Sequence, residues 1–221
     1  MIEDPLLELE DGLRYWKTRP KWPADLHNSF FYRRRAEITD GLFTDTWWKQ
    51  TLRDLHAWIA TRNARHSDLT ERFCHHRTDL QHAWASVIAP NLAGDITTVT
   101  WEQVCDLPAL GARIKPTASG SGVFPSKLSH FIAPALFPVL DQTALPGGQG
   151  SYAGYFDLVR QTWAGTRAAD RAALQERLTA EITNAGHDEH HGVSVREQDR
   201  GVAPHRPASP GLRPTSEYGS R

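Results

Sequence analysis

At 221 residues the chain is long enough for one domain, or one domain with an appendage, and its 39% hydrophobic content and eight tryptophans can furnish a core. A formal net charge of −1 excludes a globally basic nucleic-acid binder, so any such site must be a local patch. Two cysteines, Cys74 and Cys105, with no CxxC pairing fit reduced thiols better than a disulfide framework or a zinc site. No run approaches the roughly 18 apolar residues of a membrane span, and the acidic opening MIEDPLLELEDG is not a signal peptide. The expectation is a soluble, cytoplasmic protein with no membrane contact.

In chain order, the first notable stretch is FFYRRRAEITDGLF, residues 30 to 43, where three aromatics adjoin Arg33, Arg34 and Arg35. That combination suits stacking on bases with pairing to phosphates, or an amphipathic element with its aromatics in the core and its arginines in water. Trp48, Leu52, Leu55 and Ile59 then fall at helical spacing and predict one apolar helix face of about five turns. Leu69, Phe73, Leu80, Trp84 and Val87 predict another helix, opened by a capping box of Asp68 and Glu71 and stopped at Pro90. His75 and His76 on it read as a solvated edge. The short DITTVTW, residues 95 to 101, runs into a third helix start, Thr100 with Gln103.

Glycines 120 and 122 lead into VFPSKLSHFI, where Pro125 suits a first helical turn and Leu128, Phe131 and Ile132 give an apolar face. Tyr152, Tyr155, Phe156, Val159 and Trp163 form an aromatic stripe, either core or, for Tyr152 and Tyr155, a surface for stacking on a base. Leu174, Leu178 and Ile182 close the apolar pattern. Beyond them Gly, Pro, Arg and His accumulate without Trp or Phe, a composition that cannot offset its ordering entropy. The predicted fold is mainly α: a single globular helical domain over residues 1 to 183, and a disordered tail over 184 to 221. HDEHH in that tail reads as solvated histidines, and no metal site or cofactor is expected.

Chemistry concentrates between residues 120 and 145. A Gly-x-Gly turn feeding a helix N-terminus can aim backbone N–H groups at a phosphate, with Gly120 and Gly122 shaping the turn and Lys127 adding charge. After the helix, Pro134 and Pro138 bracket an apolar run that delivers a single acid, Asp141. Asp141 is placed either to cap a following helix or, held among apolar neighbours, to act as an ionised catalytic group. No G-x-S-x-G elbow, Walker A motif or dinucleotide fingerprint is present.

The order of Gly-x-Gly turn, short apolar helix, proline-containing loop and Asp at a helix start resembles the helix-hairpin-helix DNA glycosylases, over Gly120 to about Leu145. The 19 residues from Gly122 to Asp141 match that family's spacing. The resemblance implies a DNA partner, phosphate contacts at the turn and Asp141 as the catalytic carboxylate in loss of a modified base. TASGSG lacks the Leu-Pro that usually precedes the family's turn, and DLPALG, which has it, lies 30 residues before Asp141. The position of the family's Schiff-base lysine is Phe124, so the implied enzyme is monofunctional. A non-catalytic helical module, binding nucleic acid or protein, is the alternative.

Overall fold

The computed structural model describes residues 43 to 140 and 151 to 184. They form helices joined by short turns, with no β-strand among the described residues. The helices are α1 (Asp45–Ala57), α2 (His66–Ala83), α3 (Trp101–Val104), α4 (Asp106–Ile114), α5 (Val123–Ile132), α6 (Tyr152–Gly165) and α7 (Ala168–Asn184). A mainly α domain, as the periodicity predicts, is what these residues build.

Helix α1 starts where Thr44 Oγ1 accepts the Trp47 N–H at 3.1 Å, satisfying one of the donors a helix start leaves open. Trp48, Leu52 and Leu55 are buried as their spacing predicts, and the Trp48 ring stacks on Phe73 of α2 at 4.3 Å between centroids. Ile59, the fourth member of that series, departs from it. The helix ends at Ala57, fewer than the five turns expected, and Ile59 is 66% exposed.

The ending explains why. The Ala60 N–H reaches Leu55 O at 2.8 Å and the Ile59 N–H reaches His56 O at 2.9 Å, the paired bonds of a Schellman cap. That cap needs a left-handed residue at Ile59, and its φ is +59°. Glycine is the usual occupant; a β-branched residue there costs about 1–2 kcal/mol. Periodicity cannot register this, because Ile59 continues the 3.6-residue pattern in sequence while the backbone has reversed.

Helix α2 begins earlier than the predicted Asp68–Glu71 box. The turn in which Ala64 N–H bonds Thr61 O brings Arg65 O within 3.2 Å of the Leu69 N–H, so the helix starts at His66 and Asp68 instead accepts from Ser67 Oγ. Its far end does not stop at Pro90. A π-helical segment, Trp84–Ile88, follows, and the Ala89 N–H bonds Trp84 O five residues back. A proline one residue later offers no N–H and crowds the carbonyl four residues before it. The widened turn accommodates Pro90 inside a final turn, Ala89–Asn91, rather than ending the helix at it. The predicted capping box at Thr100 and Gln103 is formed in both halves.

Helix α5 sits at the centre. From Phe124 to Ile132 every residue is buried, including Ser126, Lys127, Ser129 and His130. A helix without a solvent face is a core helix. It packs most closely on α4, where a Cβ on Gly111 would stand 3.0 Å from Pro125 Cα. Helix α6, capped by Ser151 Oγ on the Gly154 N–H, buries Tyr152, Tyr155, Phe156, Val159 and Trp163 as the stripe predicts. Arg160 ties it to the 3₁₀ turn region through Val99 O at 2.6 Å. Residues 185 to 221, the predicted tail, lie outside the described residues.

Candidate functional site

The segment from Ala133 to Leu140 runs from α5 toward Asp141, and three side chains fasten it. His130 Nδ1 donates to Phe137 O at 2.8 Å, Tyr152 Oη donates to Pro138 O at 2.7 Å, and the Leu140 N–H donates to Ser126 Oγ at 3.1 Å. Because a carbonyl accepts from His130 Nδ1, that nitrogen carries a proton. An irregular buried segment leaves peptide groups without ladder partners, and buried backbone groups of this kind require such substitutes. Sequence reasoning took α5 as one-sided and so did not find Ser126 and His130. The signal lies in the run SKLSHF, whose polar residues are placed for a loop that must return past them.

The two glycines of the predicted turn serve different ends. Gly120 has a φ of +62° with open space around its α-carbon, so it is glycine for its backbone conformation. Gly122 has an ordinary φ, but a Cβ there would lie 2.8 Å from Tyr152 Cβ and 3.0 Å from Leu140 Cδ2. It is glycine for close packing, and it brings the turn against the same residues that fix the approach to Asp141. Within the turn, Thr117 engages the Gly120 N–H through its carbonyl at 3.0 Å and the Ser121 N–H through its hydroxyl at 2.8 Å.

Lys127 is 5% exposed. Its Nζ donates to Trp58 O at 2.9 Å and lies 4.7 Å from the centroid of the Trp58 ring. It thereby clamps the end of α1 to the centre of the fold. Tyr152 and Tyr155, offered by the sequence as base-stacking or core residues, are 7% and 3% exposed. Asp141 and the Arg33, Arg34, Arg35 cluster lie outside the described residues.

Charge is spread unevenly along the sequence. Residues 55 to 67 hold Arg62 and Arg65 and no acid; residues 107 to 140 hold Arg113, Lys115 and Lys127 and no acid. Arg62, Arg65 and Arg113 are exposed and Lys115 is half-buried. Burial, and then the Arg62 charge, hold the Lys115 ammonium below its usual pKa, and its Nζ lies 5.9 Å from the centroid of the Phe124 ring.

A cleft lined by described residues lies elsewhere. About 630 Å³ opens between α1 and α2 over Trp48 and Leu52, with Lys49, Arg53 and His66 at its edge. Neither glycine of the turn lines it. No group of three or more potential metal ligands occurs among the described residues. No helix there is long and apolar enough to cross a membrane. Set against protein-family models, curated proteins and solved structures, the chain matches none.

Proposed function

We propose that this protein binds DNA and acts as a monofunctional base glycosylase, with Asp141 as the catalytic carboxylate. The observation that carries the reading is the fastening of the segment before Asp141 by Ser126, His130 and Tyr152. Three bonds from two helices hold Phe137, Pro138 and Leu140, the residues that precede Asp141, and preorganisation of that kind supports a role in electrostatic catalysis. The turn Ser119 to Gly122, with Gly120 exposed and open space around its α-carbon, supports contact with backbone phosphate.

Loss of a base develops positive charge on the sugar. A carboxylate beside it lowers the barrier and can orient the attacking water. The target base must first leave the stack. Asp141→Asn keeps the size of the side chain and removes its charge. The variant is expected to fold and to bind DNA as the parent does, and to lose base release by about two orders of magnitude or more. Duplexes carrying a panel of modified bases, scored for abasic sites after alkali, provide the measurement. If the parent protein binds duplexes but frees no base from any of them, the binding-only alternative holds. Unfolding of Asp141→Asn would identify the carboxylate as a helix cap.

A further inference from the structure

We propose that the cleft between α1 and α2 binds a small amphipathic carboxylate, with its apolar body over Trp48 and Leu52 and its acid group held by Arg53, His66 and Lys49. The proposal is independent of the DNA-binding reading above.

Three contacts orient the two helices. Asp45 pairs with Arg77, Trp48 Nε1 donates to Thr70 Oγ1 at 3.0 Å, and the rings of His56 and His66 meet at 4.9 Å between centroids. Later residues of α1 thus meet earlier residues of α2, and the pair runs antiparallel. The cleft follows it, with Asp45 and Cys74 lining one end, Arg53, His66 and Ser67 the other, and Trp48 and Leu52 between. From Asp45 to Arg53 the axis of α1 rises about 12 Å. The volume of about 630 Å³ lies within the roughly 300–1,000 Å³ of small-molecule sites.

The floor is apolar in effect. Trp48 Nε1 is used by the Thr70 hydroxyl, and that hydroxyl donates to His66 O at 2.8 Å. Both donors are spent within the protein, so an occupant meets ring and hydrocarbon. The Trp48 ring is fixed from below by its stack on Phe73. A floor held in place in this way loses little freedom on binding.

The rim carries the charge. Lys49 and Arg53 are exposed and stand four residues apart on α1, a spacing at which like charges disfavour one another. Neither forms an ion pair among the described residues, whereas Asp45, the acid lining the cleft, is taken by Arg77. His66 adds a third group able to carry positive charge. A carboxylate relieves the repulsion along the rim, and an attached apolar body covers the floor. A bare anion would leave the floor wet, and an amine would add to the repulsion. A nucleic-acid backbone would meet the rim but not the floor.

The test uses the full chain and three probes of one shape: 4-phenylbutanoate, its neutral amide and 4-phenylbutylamine, with acetate as the bare anion. Titration calorimetry is expected to give the acid a Kd of about 0.1 mM, the amide about tenfold weaker binding, and the amine and acetate none up to about 10 mM. Lys49→Gln and Arg53→Gln, both at exposed positions where the fold is unaffected, should each weaken acid binding about threefold and together about tenfold. Arg62→Gln, outside the cleft, should leave it unaltered. Cys74 is exposed and lines the cleft, and Cys105 does not line it. At about ten times the Kd, the acid should slow iodoacetamide alkylation of Cys74 about fivefold and leave Cys105 unchanged. No binding of the acid by the parent, equal binding of the three probes, an unprotected Cys74 or unchanged acid affinity in the double variant each overturn the proposal. Weakened duplex binding in the double variant with acid binding intact would assign the rim to phosphate and overturn it as well.

Discussion

Two turns of this molecule each require a left-handed residue, and they meet the requirement differently. Between α4 and α5 the position is Gly120, at φ +62°; between α1 and α2 it is Ile59, at φ +59°. Both positions are exposed, and neither residue contributes its side chain to the core. The backbone geometry is nearly the same, yet one turn is relaxed and the other strained. The contrast teaches that turn geometry alone does not choose the residue.

The contrast can be broken or sharpened by substitution. The largest effect is expected at Gly122, which resembles Gly120 in sequence and differs from it in cause. Gly122→Ala drives a Cβ against Tyr152 and Leu140 and should cost about 1–3 kcal/mol of stability by overpacking, read by denaturant unfolding. Gly120→Ala meets no atom and should cost about 1 kcal/mol through backbone strain alone. Ile59→Gly should move the opposite way and stabilise by about 1 kcal/mol, the relief of strain being partly offset by the greater freedom of glycine in the unfolded chain. If Ile59→Gly is instead destabilising, the isoleucine is structural and the contrast between the turns disappears.

The smallest effect concerns Lys115. Its folded pKa lies below the unfolded value near 10.5, so the unfolded chain holds the proton more firmly. The charged lysine therefore carries a cost at neutral pH, and that cost is relieved as pH rises through the lowered pKa. Lys115→Gln should be slightly more stable than the parent at pH 7, with the advantage shrinking as pH approaches the ordinary lysine range. A difference that stays flat with pH would show that neither burial nor Arg62 lowers the Lys115 pKa.

What the sequence disclosed follows the range of the interactions involved. The Thr100–Gln103 box, the buried face of α1 through Leu55 and the stripe on α6 depend on neighbours within one or two turns, and pattern reading recovers them. The Ile59 reversal depends on bonds back to Leu55 and His56 that leave the hydrophobic period untouched. The start of α2 at His66 and the π segment before Pro90 likewise turn on which carbonyl an N–H selects. At the site, the glycines and Lys127 were legible as residues, but their roles were not. Gly122 is defined by Tyr152 and Leu140, and Lys127 by a carbonyl 69 positions away in the chain. Local spacing carries no trace of such partners.

The burial of α5 on every side has a kinetic consequence. A helix with a solvent face can fray or detach by itself, whereas one enclosed by α1, α4 and the segment from 133 to 140 has no partial opening available to it. The Leu140 amide is bound to a hydroxyl of that helix. Its proton can therefore exchange with solvent only when the enclosure comes apart as a whole. The Leu140 amide is therefore expected among the slowest-exchanging protons of the described residues, which native-state hydrogen exchange would read.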